Sequence, residues 1–190
     1  MQDCKTEAAV GSAARGAVGA WARFLFPAVV GLAGDLWLKA YAFPEGVQGG
    51  VGPMGRNPAG FMPPEDIVPH VLGFTTTVNH GAVFGLGQGW GWFFLGFSTL
   101  ALGLIVWVFV TSRARQWAVH IALGLILAGA LGNMYDRIVY QGVRDMLKFN
   151  VSWYPFIFNL ADVLLCVGVP VLMLRWMVMG SEKSGGGVKS

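Results

Sequence analysis

The chain has 190 residues, 55% hydrophobic and only 12% charged, with a mean hydropathy of +0.58. Soluble domains carry about a quarter charged residues, so this balance excludes an ordinary water-soluble domain and points to lipid. The formal net charge of +3 is spread without a dense Lys/Arg run, and no nucleic-acid partner is expected.

In chain order, residues 1–23 are Ala/Gly-rich and read as a cytoplasmic N-terminal tail. Cys4 has no apolar segment before it, and Cys166 lies in a distant apolar run, so neither a lipid-acceptor cysteine nor a disulfide is expected. A bilayer core needs roughly 20 apolar residues in helix. Phe24–Tyr41 is one such run, interrupted by Asp35 and Lys39. Residues 43–89 change character: Gly and Pro crowd the stretch from Gly46 to Pro64 and exclude a helix there. From Val71 the β-favouring Leu72, Phe74, Thr76 and Val78 alternate with their neighbours, which predicts one or two short strands.

Trp90–Val110 is a second span with no charge, and Trp117–Tyr135 a third, closed by Asp136 and Arg137. An outer loop carrying Asp145 leads to a fourth span, Phe156–Trp176, interrupted by Asp162. Residues 24–179 thus read as one membrane domain and 180–190 as a cytoplasmic C-terminal tail. All eight tryptophans lie near predicted span ends, where an indole satisfies both its apolar body and its N–H. With both termini cytoplasmic, eight basic residues (Lys5, Arg15, Arg23, Arg113, Arg115, Arg175, Lys183 and Lys189) share that side. Four (Arg56, Arg137, Arg144 and Lys148) lie opposite, which sets the orientation.

On this topology the polar residues converge on the outer leaflet. Asp35 and Lys39 end span one, Asn79 precedes span two, Asn133, Asp136 and Arg137 close span three, and Asn159 and Asp162 open span four. Ionisable groups at membrane depth are functional candidates by default. Lys39 and Arg137 can snorkel to the interface, whereas the short Asp162 carboxylate cannot reach far. Asp35 and Lys39, spaced i,i+4 with the acid first, read as a structural ion pair. A short re-entry through Trp153–Tyr154–Pro155 would bring Asp145 beside Asp162. Two carboxylates sharing one proton suit amide hydrolysis: one takes a proton from water and the other protonates the carbonyl oxygen. His70, His80 and His120 lack a neighbouring nucleophile, and no HExxH, Cys/His set or GxxxxGK[ST] is present, so no metal or cofactor is expected. Spacing alone leaves a peptidase, a small transporter or proton conductor, and a structural membrane subunit open.

Four blocks narrow the choice. Asp35-Leu-Trp-Leu-Lys39, Asn79-His-Gly-Ala-Val-Phe-Gly85, Gly132-Asn-Met-Tyr-Asp-Arg137 with Gly142-Val-Arg-Asp145, and Phe158-Asn-Leu-Ala-Asp162 resemble, in order, the motif blocks of lipoprotein signal peptidase (signal peptidase II). The resemblance runs from the first span to the fourth. It implies an all-α membrane protein with four transmembrane helices and a small extracytoplasmic β-cradle, acting as a monomeric aspartic endopeptidase of the bacterial inner membrane. It further implies Asp145 and Asp162 as the catalytic dyad, with Asn159 in the same site. Asn133 and Arg137 would support the site and bind the substrate backbone, Asn79 would line the pocket, and Asp35 and Lys39 would brace the fold. The implied partners are membrane lipids and a prolipoprotein carrying diacylglycerol on its lipobox cysteine, cut just before that cysteine. The chain departs from the family pattern at Arg144, where an apolar residue is common, and at Met146, where Phe is more usual. The first block also lacks the family's Gln and Thr, and the segment from Ala42 to Val78 is longer than usual.

Overall fold

The computed structural model describes residues 14–43, 65–81, 91–151 and 156–184. Residues 1–13 and 185–190 of the expected tails, the Gly/Pro-rich insert and the turn at Trp153–Pro155 lie outside these residues, whereas 18–23 and 180–184, expected as tail, are helical. Four helices, α1 (Val18–Ala42), α2 (Gly91–Thr111), α3 (Trp117–Tyr140) and α4 (Leu160–Ser184), are joined by four short strands, two between α1 and α2 and two between α3 and α4. The strands are β1 (Glu65–Val68), β2 (Leu72–Asn79), β3 (Val143–Phe149) and β4 (Ile157–Phe158). All four helices are long and apolar enough to cross a bilayer.

Helix α3 is the central post, and its sequence explains why. Its buried residues recur at helical spacing and half of them are Ala or Gly: Ala122, Gly124, Ala128, Gly129 and Gly132. In lipid, where apolar side chains gain little by leaving one hydrocarbon for another, close backbone approach is what holds helices together. A side chain at Gly129 would strike the Ala161 carbonyl of α4, and one at Gly132 would strike the Asp35 carboxylate of α1. Helix α3 therefore packs against α1 and α4 through a face that tolerates no added atoms. At the far end from the sheet, Phe24, Phe109, Val119, Leu123 and Leu172 form an apolar cluster, with the Phe24 and Phe109 rings stacked 4.3 Å apart.

Helix α2 joins this cluster by Ile105 and Phe109 and leaves most of its length outward. Large apolar side chains face outward on every helix, among them Phe26, Leu100, Ile138 and Met177. That much apolar surface is unstable in water and suited to hydrocarbon. Trp37, Trp92, Trp107, Trp117 and Trp176 are exposed. Trp21 differs, for it packs edge-on against Phe109, 4.6 Å away.

The strands form one antiparallel sheet in the order β1-β2-β3-β4. Two sequence expectations change here. The segment carrying Asp145 is not a loop but strand β3, paired along β2 with Thr77 opposite Asp145 and Asn79 opposite Val143. Asn79 accordingly ends β2. The predicted start of span four at Phe156 is also too early, because Ile157 and Phe158 pair with Lys148 and Leu147 before the helix begins at Leu160. Alternation in Val143–Phe149 is masked by Arg144, Asp145 and Lys148, so the strand was hidden behind its charges.

Candidate active site

The sheet and the ends of α1, α3 and α4 meet at one end of the molecule, and there the polar side chains gather. The entry to α4 is built first. Asn159 accepts the main-chain N–H of Asp162 at 3.0 Å, while the Asp162 carboxylate accepts the main-chain N–H of Asn159 at 3.2 Å. This reciprocal pair is a capping box, which ties down two of the N–H groups that every helix start leaves unpaired. A third, the N–H of Ala161, donates to Asp35 at 2.8 Å. The carboxylates of Asp35 and Asp162 also lie where the positive end of the helix dipole favours them.

Asp162 is held further by the side-chain amide of Asn133, which donates to it at 2.8 Å. Asn159 then links the two sides. Its amide donates to Asp145 at 2.6 Å and to the Asn133 side-chain oxygen at 3.1 Å. Asp145 is almost fully buried at 2% exposure and also takes a hydrogen bond from the Asn79 side chain. Burial pushes the Asp145 carboxyl well above the usual carboxylate range, and the charge of nearby Asp162 pushes it the same way. Asn159, Asn79 and Lys39 oppose that rise without cancelling it. Opposite Asp145, the β2–β3 register shifts between Phe74 and Thr77, a bulge of the kind that re-aims a side chain beside a site.

Beneath this pair lies a second layer of buried charge. Lys39 meets Asp35 at 2.7 Å and Asp136 at 3.2 Å, and its ammonium also donates to Asn133 at 3.3 Å. Asp136 in turn accepts from Arg144 through the main-chain N–H at 2.9 Å, Nε at 3.1 Å and Nη2 at 2.8 Å. Two acids and two bases thus alternate in a balanced row, which is what lets them be buried at all. The Asp35–Lys39 pair is where spacing predicted it. The participation of Asp136 and Arg144 was not foreseen. Their adjacency requires the chain to turn back at Gln141, whose left-handed backbone (φ 56°) ends α3.

Arg137 stands above the layer. Its guanidinium donates to the main-chain oxygens of Asn133 at 3.3 Å and Gly81 at 3.4 Å, and lies 5.5 Å from the centre of the Phe94 ring. Half-buried and close enough to feel Asp162, Asp145 and Asp136, it supplies positive charge beside the carboxylates. All eight predicted site residues (Asp35, Lys39, Asn79, Asn133, Arg137, Asp145, Asn159 and Asp162) therefore converge. Among the described residues no group of three or more His, Cys, Asp or Glu side chains is arranged to hold a metal ion.

Known proteins share this arrangement of spans. Residues 27–178 match the sequence model of the family described as Signal peptidase (SPase) II. The lipoprotein signal peptidase of Desulfitobacterium hafniense is 37% identical over 112 residues, which span 59% of this chain and 73% of that protein. The lipoprotein signal peptidase of Yersinia pestis is 38% identical over 127 residues, 62% of this chain and 73% of its own. A bacterial membrane enzyme solved by the in meso method at 2.3 Å resolution superposes with a TM-score of 0.69 at 28% identity, over 86% of this chain and 93% of that one. With four apolar spans, a small antiparallel sheet and a family match along most of its length, the chain belongs to the signal peptidase II family of membrane peptidases.

Proposed function

We propose that the chain is an aspartic endopeptidase that removes signal peptides from diacylglyceryl-modified prolipoproteins, cutting just before the lipidated cysteine. The observation that carries this reading is the Asp145–Asn159–Asp162 bridge, in which a buried carboxyl that favours its proton sits beside a second carboxylate. Asp145 holds the shared proton and gives it to the scissile carbonyl oxygen, while Asp162 takes a proton from the attacking water. The bond between water oxygen and carbonyl carbon forms; then the C–N bond breaks as the leaving amine collects the proton from Asp162, and a hydroxyl of the tetrahedral intermediate returns its proton to Asp145. Asn133, Asn159 and Asn79 hold the two carboxyls through the cycle, and Arg137 binds the substrate main chain.

Placement at the end of the spans suits this substrate. A signal peptide is itself an apolar helix, and a lipidated cysteine rides at headgroup level, where water also reaches. The setting is the bacterial inner membrane, with both termini cytoplasmic and the site near the extracytoplasmic face. A transporter is disfavoured because no polar side chain interrupts α3 between Ile121 and Leu131, and α2 carries no ionisable residue.

The decisive experiment is a gel-shift assay on a diacylglyceryl-modified prolipoprotein with variants matched for membrane level. Asp145→Asn and Asp162→Asn should each lower cleavage by roughly 10²–10⁴-fold, and the double variant should be hardly worse than either. Substantial cleavage by either single variant, or loss confined to Asp136→Asn, would reassign the catalytic pair.

A further inference from the structure

On the reading that Asp145 and Asp162 are the catalytic pair, we propose that Arg144 is a positioning residue: clamped onto Asp136 and Tyr140, it fixes the roll of strand β3 and so the direction of the Asp145 carboxyl. Sheet pairing holds Asp145 on one edge only. Strand β4 pairs only with Leu147 and Lys148, so it stops short of Asp145. On the other edge, the β2 ladder is interrupted between Phe74 and Thr77, immediately beside the Thr77–Asp145 pair. A strand free to roll there would swing a short carboxyl away from its partners.

Arg144 resists that roll. Successive side chains of a strand project to opposite faces, so gripping residue 144 sets where residue 145 points. The grip is unusually complete. The Arg144 main-chain N–H and its Nε and Nη2 all bond Asp136 at 2.8–3.1 Å. The guanidinium also lies 4.3 Å from the Tyr140 ring centre and 5.9 Å from that of Phe43. Both members of the pair are buried. Because Asp136 also meets Lys39, which reaches Asn133 and through it Asp162, one rigid row contacts both halves of the pair. A lysine cannot replace this, since a single ammonium offers neither the planar two-point grip nor the ring stacking.

Two variants separate positioning from mere stability. Arg144→Lys keeps the charge but loses the fork. Asp136→Asn combined with Arg144→Met removes both charges together, leaving no unpaired ion between them. Each is purified in detergent and assayed for kcat and KM on the diacylglyceryl-modified prolipoprotein, beside Asp145→Asn. Both should accumulate and keep KM within about twofold, while kcat per folded molecule falls roughly ten- to hundredfold, the cost of misplacing a reacting group by about 1 Å. Parental kcat with only a lowered melting temperature would overturn the proposal, as would a change confined to KM. Failure of both variants to accumulate would assign the pair to folding alone and overturn it as well. An inactive Asp145→Asn beside a fully active Arg144→Lys defeats the positioning role only. An active Asp145→Asn defeats the catalytic assignment and the positioning role with it.

Discussion

At the scale of single residues, the informative contrast is between acids that share one end of the molecule yet meet different surroundings. Asp35 and Asp136 face cations at 2.7–3.2 Å, whereas Asp145 faces amides and another carboxylate. Burial and the neighbouring Asp162 charge stabilise Asp145 as the neutral acid. Its carboxyl lies above the ordinary value of 3.8 in the fold, so the folded state binds the proton more tightly than the unfolded chain does. That contribution to stability is fully present below the ordinary value and is lost as pH rises through the raised one. Asp145→Asn should remove the dependence. Thermal unfolding followed across this window should show the variant gaining on the parent protein as pH increases. A constant difference at all pH values would mean that Asp145 is not the proton-holding member.

Elements depend on one another at their ends. Helix α4 starts where it does because Asn159, Asp162 and Asp35 take up its first N–H groups, and Asp35 belongs to a different helix. Asp35→Asn leaves the hydrogen bond to Ala161 possible but removes charge opposite Lys39. Removing one member of a buried pair costs about 3–5 kcal/mol, reduced here because Asp136 still meets Lys39 at 3.2 Å. The expected outcome is a lower membrane level and melting temperature with cleavage per folded molecule largely retained. Quantitative immunoblotting alongside the cleavage assay checks this. Loss of cleavage at an unchanged protein level would instead place Asp35 in the chemistry.

For the whole molecule, the two ends differ in chemistry. One gathers the sheet and the carboxylates. At the other, Arg23 donates to the Ala114 carbonyl at 2.9 Å and His120 pairs with Ser112 at 3.0 Å, joining the start of α1 to the α2–α3 turn. We propose from the basic-residue asymmetry that this second end faces the cytoplasm. In a background with Cys4 and Cys166 replaced by alanine, Val71→Cys in the β1–β2 turn should react with an impermeant thiol reagent on intact spheroplasts. Arg115→Cys should react only after permeabilisation, and the reverse pattern would invert the orientation. Sequence alone determined the four spans, because a run of about 20 apolar residues has few other stable fates. It also pointed to most of the polar residues that gather, though not to Arg144, because burying them in lipid is costly enough to need a reason. The boundaries of α1 and α4 were less legible, since Arg23 can lie inside a helix by reaching a carbonyl and Ile157–Phe158 is apolar in strand and helix alike. Only the tertiary structure decided that Asp145 rides on a strand, and that Asp136 pairs with Lys39 and Arg144. Both follow from contacts between segments far apart in the chain, where a charge is sorted by the partner that folding brings to it, and no local pattern of residues records that partner.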